Sequence, residues 1–172
     1  MAEKTALLVL EMQNDMLWEK RKEKFTYDTE ALTAAVNAAI GTYSAEGCDV
    51  IYIRQIYPDT PSNHIIFGFQ IEGTEGAALY EKLSIVSDLV FDKNFSDVYM
   101  AEDFRRHMEQ AGYDRVLLCG IDECAGLAAT AKAALQTGAK VCILGAACAT
   151  RFDTAKRGKT RAELRRLGAE YL

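Results

Sequence analysis

The chain has 172 residues, enough to bury a core in one domain, and its 20 lysines and arginines are outnumbered by 25 aspartates and glutamates for a formal net charge of −5. No basic stripe stands out, which excludes nucleic acid as the main partner, because phosphate binding needs concentrated positive charge. No apolar run is long enough to cross a bilayer and the charged start Met1-Ala2-Glu3-Lys4 is not a secretory signal, so no membrane association and a cytoplasmic location are expected.

Residues 5–11 (TALLVLE) form a short apolar run suited to a strand buried on both faces. Gln13, Asn14 and Asp15 then organise a turn. Asp28 caps a helix predicted over 29–45, whose apolar residues Leu32, Val36, Ile40 and Tyr43 recur at helical spacing, and Gly47 closes it. A second strand follows at 49–55 (DVIYIRQ). The stretch 56–75 holds both prolines, Pro58 and Pro61, and reads as a long irregular loop, which in a small domain points to function.

Next come a short helix at 75–83, a third strand at 88–92 and a helix at 101–111 stopped by Gly112. A fourth strand at 114–119 ends at Gly120. The Ala-rich helix at 126–137, a fifth strand at 140–144 (KVCIL), a helix at 154–167 and a short sixth strand at 168–172 complete the chain. Arg161, Arg165 and Arg166 read as a solvated face of that last helix. Alternating strands and helices imply a parallel sheet covered on both faces. In such sheets ligands bind beyond the carboxyl ends of the strands. That rule directs attention to Glu11, Gln55, Lys93, residues 122–126 and Ala146.

A carboxylate at Glu11 and an ammonium at Lys93, each ending a strand, can share one cleft and do acid/base work; an ion pair that merely closes the sheet is the competing reading. The five cysteines are odd in number and show no CxxC or Cys/His spacing. Cys119 and Cys142 lie inside strands and read as core residues. Cys124 follows a strand and opens a helix, where a reactive thiol belongs, although a plain loop thiol explains it as well. The two histidines, His64 and His107, are too isolated for a metal site, so no metal and no cofactor is expected. Trp18 suits either a pocket wall or a seal over the long loop.

Four segments, in order, resemble the isochorismatase-like (cysteine hydrolase) superfamily: ALLVLEMQND at 6–15, IEGTEGAAL at 71–79, LVFDKNFSDVYMAEDF at 89–104 and LLCGIDECAGLAATAKAALQTGAKVCIL at 117–144. The resemblance implies a three-layer α/β/α Rossmann-like domain with a six-stranded parallel sheet in the order 3-2-1-4-5-6. It also implies a homo-oligomer (dimer or tetramer) and a small-molecule substrate such as an amide or ureido compound. The family's usual triad is Asp, Lys and Cys. Here the Asp position is Glu11 and the Lys position is Lys93. The Cys position, six residues after Gly120 and four before Thr130, is Gly126. By the same resemblance the N–H groups of Ala125 and Gly126 stabilise developing negative charge, and Cys124 is a substitute nucleophile only if its loop is rearranged. Members with glycine at that position protonate a vinyl ether and need no thiol. Two functions stay open: a hydrolase using the Glu11–Lys93 pair without a cysteine nucleophile, or an inactive member that binds a small ligand or serves as an assembly subunit.

Overall fold

The computed structural model describes residues 3–172, so Met1 and Ala2 of the charged start lie outside the described residues. Six parallel strands run in the order β3-β2-β1-β4-β5-β6. They are β1 (Thr5–Leu10), β2 (Asp49–Gln55), β3 (Val90–Lys93), β4 (Arg115–Gly120), β5 (Lys140–Cys148) and β6 (Glu170–Tyr171). The helices are α1 (Asn14–Leu17), α2 (Thr29–Ala45), α3 (Pro61–Ile66), α4 (Glu102–Ala111), α5 (Gly126–Gln136) and α6 (Thr154–Leu167). This is the expected architecture and strand order.

Strand β1 is buried along its whole length and splits the core by alternation. Leu8 and Leu10 face Phe104 of α4, Leu127 and Ala131 of α5 and Leu164 of α6. Leu7 and Val9 face Met16 and Leu17 of α1 and Leu32, Val36 and Ile40 of α2. The cap of α2 is the expected one, with the Asp28 carboxylate accepting from the Ala31 N–H at 2.9 Å. At Gly120 the chain has φ 108°, and a Cβ there would run into the Leu10 carbonyl oxygen. Only glycine lets β4 close against β1 at the place where the sheet order reverses.

Four expectations need correction. The helix expected at 75–83 is a single 3₁₀ turn over Glu75–Ala77. Its carbonyls are taken by the segment after β1: Asn14 donates its side-chain amide to Glu75 O and its backbone N–H to Ala78 O, and Gln13 donates to Ala77 O. These long-range bonds hold the segment against β1, and the chain leaves the turn in extended backbone at Ala78. The loop at 56–75 is also not wholly irregular, because Pro61 opens α3 and the Thr60 side chain caps it. Strand β5 continues four residues past the expected end at Leu144, to Cys148. Finally, Arg161 is not on a purely solvated face. It and Arg157 both bind the fully buried carboxylate of Glu123, each through Nε at 2.6 Å.

Candidate active site

Strand ends bring the first side chains together. Glu11 follows β1 in the left-handed region at φ 53°, which costs a non-glycine residue about 1–2 kcal/mol. Its N–H donates to Ile53 O and its carbonyl accepts from the Gln13 N–H, both at 2.8 Å, and these bonds hold the turn. The turn swings the carboxylate across the ends of neighbouring strands toward Lys93. Lys93 pairs in register with Gln55 of β2.

The Lys93 ammonium donates to Glu11 Oε1 at 2.8 Å, to Gln55 Oε1 at 2.5 Å and to Phe95 O at 3.1 Å. All three of its N–H groups are therefore used, which fixes the ammonium as a positioned charge. Its side chain is 1% exposed and that of Glu11 11%. Because Glu11 lines the cavity and its second oxygen, Oε2, makes no hydrogen bond among the described residues, that oxygen is free for a ligand.

The loop after β4 supplies the facing wall. Asp122 organises it, accepting from Cys124 N at 2.9 Å and Arg151 N at 3.2 Å through its carboxylate. Its carbonyl accepts from Ala125 N at 3.0 Å and Leu127 N at 3.1 Å. The Ala125 N–H is thus spent inside the turn and is not available to stabilise an anion, contrary to expectation. Gly126, the first residue of α5, keeps its N–H without a partner among the described residues, as the opening of a helix allows. Cys124 is half-buried and does not line the cavity, so the structure does not bring it to the Glu11–Lys93 pair. The backbone of Gly126 instead faces that pair: a Cβ built on it would lie 2.7 Å from Glu11 Oε1 and 3.3 Å from Lys93 Nζ.

The cavity measures about 140 Å³, below the roughly 300–1,000 Å³ of drug-sized ligand pockets, which suits a small molecule. Its walls include Met16, Phe25, Tyr57, Phe69, Gln70 and Arg151, none of which the sequence analysis singled out. The buried Gln13 explains how so much loop is gathered here. Its amide donates to Gln55 O and Ala77 O and accepts from Gln55 N and the Gln70 side chain, tying three loops to one residue. Burial and the nearby Glu11 carboxylate push the Tyr57 phenol above its ordinary pKa, so it stays a neutral wall group, stacked on Phe67 at 3.8 Å. Arg151 was missed for an identifiable reason. A strand ending at Leu144 points to Ala146, but β5 ends at Cys148, and the loop beyond that end carries Arg151. Trp18 does not line this cavity. His64 pairs with Asp59 at 2.7 Å on exposed α3, and no group of three or more His, Cys, Asp or Glu among the described residues is arranged to hold a metal ion.

The sequence model of the Isochorismatase domain matches residues 5–170. The chain belongs to the isochorismatase family. Its fold is similar to that of an isochorismatase family protein from Desulfovibrio vulgaris, with a TM-score of 0.85 at 19% identity, covering 99% of this chain and 94% of that one. It is also similar to pyrazinamidase/nicotinamidase from Streptococcus mutans, with a TM-score of 0.84 at 19% identity over 98% of this chain and 100% of that one. N-carbamoylsarcosine amidase from Thermoplasma acidophilum gives a TM-score of 0.77 at 24% identity over 98% and 95% of the two chains. No curated protein sequence is a significant match. At these identities the structural likeness speaks for the fold. No helix among the described residues is long and apolar enough to cross a membrane.

Proposed function

We propose that this isochorismatase-family chain hydrolyses a small molecule with Glu11 as the proton-transferring carboxylate and Lys93 as its electrostatic partner, and without a cysteine nucleophile. One observation carries the reading: a buried carboxylate–ammonium pair at 2.8 Å in which every lysine N–H is engaged while one carboxylate oxygen is free toward the cavity. An ion pair that only closed the sheet would have no need of an open cavity at the carboxylate.

Glu11 Oε2 is the atom that exchanges protons. For an amide or ureido bond, the ionised carboxylate takes a proton from water as the water oxygen bonds to the carbonyl carbon. It then returns that proton to the departing nitrogen as the C–N bond breaks. For a vinyl ether the same group, protonated, delivers its proton to the terminal alkene carbon; water then bonds to the oxocarbenium carbon, its proton going back to Glu11, and the hemiketal releases the alcohol as its C–O bond breaks. Negative charge on the carbonyl oxygen meets the free Gly126 N–H at the opening of α5. Lys93 moves no proton, since its three donors are committed, and keeps Glu11 aimed.

Amides are the substrates named for two similar structures, the nicotinamidase and the carbamoylsarcosine amidase. A turnover screen should therefore cover amides, ureido compounds and vinyl ethers. Glu11→Gln preserves the shape of the side chain and removes its proton affinity. Turnover of any true substrate should fall to background in that variant while its circular dichroism matches the parent; retained full activity would rule out the role.

A further inference from the structure

The fully buried Gln13 settles which way a neighbouring amide faces. Its side-chain oxygen accepts the Gln55 backbone N–H, which can only donate. Its nitrogen donates to the carbonyls of Gln55 and Ala77, which can only accept. Gln13 Oε1 must therefore be met by a donor, and the Gln70 side chain meets it with Nε2 at 2.9 Å. The carbonyl end of the Gln70 amide is left facing away from Gln13.

Gln70 Oε1 accepts no hydrogen bond among the described residues, although the residue is only 1% exposed and lines the cavity. Among those residues the side-chain atoms sealed away without a partner are Trp18 Nε1, Arg115 Nε and Tyr171 OH. This oxygen is not one of them, so it opens onto the cavity. The other amide and carboxylate acceptors there are mostly spent. Asp122 takes the Cys124 and Arg151 N–H groups, one on each oxygen, and Gln55 Oε1 takes Lys93. Glu11 Oε2 and Gln70 Oε1 remain, and of the two only Gln70 is neutral.

The rest of Gln70 is held in place. Its N–H donates to Asp15 Oδ2 at 2.6 Å, and its carbonyl accepts from the Tyr57 N–H at 2.8 Å. Its backbone lies in the left-handed region at φ 55°, a conformation that non-glycine residues adopt most often at ligand sites. A buried acceptor fixed in this way is costly to leave unmatched. Its match is a neutral N–H or O–H, because a carboxylate would set lone pairs against lone pairs. Phe25, Tyr57 and Phe69 share the cavity wall, and in such apolar surroundings a hydrogen bond is stronger than in water.

We propose that Gln70 is a specificity-determining residue: its Oε1 accepts an N–H of the substrate and so selects a carboxamide or ureide over an ester, a carboxylate or a vinyl ether of the same shape. Gln13 is the positioning residue that sets the polarity of the Gln70 amide. Which bond then breaks rests on the hydrolase reading above. The preference for an N–H donor does not, and it stands or falls separately.

Calorimetric titration with benzamide and acetophenone tests this, because the two share their shape and carbonyl and differ only in NH₂ against CH₃. The parent protein should bind benzamide about tenfold more tightly, as one hydrogen bond in a buried site provides. Gln70→Met removes the acceptor and should shrink that preference to about twofold or less. Gln70→Lys also removes the acceptor but keeps a donor for Gln13, so it should lose the preference even if Gln70→Met does not fold. Glu11→Gln should keep the preference, so turnover lost there with the preference intact separates the reaction from the reading of the N–H. The proposal is overturned if neither compound binds, if acetophenone binds the parent as tightly as benzamide, if a folded Gln70 variant keeps the parent's preference, or if Glu11→Gln loses it.

Discussion

Glu11 Oε1 occupies the space into which a side chain at Gly126 would grow, 2.7 Å from where a Cβ would sit. The two positions are therefore coupled by volume: the longer carboxylate at 11 and any side chain at 126 exclude each other. Gly126→Ala alone should displace the carboxylate from Lys93, cost about 1–3 kcal/mol as overpacking does, and lower turnover. Glu11→Asp withdraws the carboxylate by one methylene, so the double variant Glu11→Asp/Gly126→Ala should be more stable than the sum of the two single changes predicts. Urea unfolding of the four proteins measures this coupling. Strict additivity would show that the contact does not constrain the site.

The ion pair itself has a stability signature. Lys93 is 3% exposed, so Lys93→Met leaves the Glu11 carboxylate in a mostly buried place without its counter-charge and should destabilise the fold by about 3–5 kcal/mol. Adding Glu11→Gln to that variant removes the stranded charge and should recover part of the loss. Thermal or urea unfolding reads the recovery, and a double variant less stable than Lys93→Met would contradict the pairing.

Which parts of this were legible in the chain follows from where the determinants lie. β1 and β4 read as strands because burial on both faces writes an uninterrupted apolar run, and the Asp28 and Gly112 signals bound their helices because caps are local. Glu11 and Lys93 were readable because strand ends in a parallel sheet converge whatever the loops do. Long-range hydrogen bonding was not readable. The segment at 75–83 has local helical character, but Gln13 and Asn14, some sixty residues away in sequence, hold its carbonyls. Arg151 was hidden by the extra residues of β5. Tyr57 and Phe69 reach the cavity on a loop that the Gln70 side chain ties to Gln13, after β1, at 2.9 Å.

Glu123 ties the cavity loop to the last helix. Its carboxylate is fully buried and takes charged hydrogen bonds from Arg157 and Arg161, while its N–H donates to Ala149 O at 2.9 Å, two residues before Arg151. Glu123→Gln keeps the shape and removes the charge, so it should cost about 3 kcal/mol, the scale of a lost charge-assisted bond in a buried site. Thermal unfolding checks it, and an unchanged melting temperature would mean that the arginines do not hold the loop.

Thiol chemistry gives a direct readout of position 126. Burial pushes the Cys119 thiol up to about 12 and Cys148 well above its ordinary value, and Cys142 is fully buried. Native protein treated with iodoacetamide at neutral pH should therefore carry adducts only at the half-buried Cys48 and Cys124, against five after unfolding. Burial and then the Glu46 charge raise the Cys48 thiol, which should make it slow. In the variant Glu11→Asp/Gly126→Cys the new thiol hangs from a Cβ 3.3 Å from the Lys93 ammonium, an environment that favours thiolate. It should become the fastest-labelled site in the protein, followed by intact mass against time, and its rate should drop when Lys93→Met is added. A new thiol no more reactive than Cys124 would mean that the side chain at 126 does not enter the cavity beside Lys93.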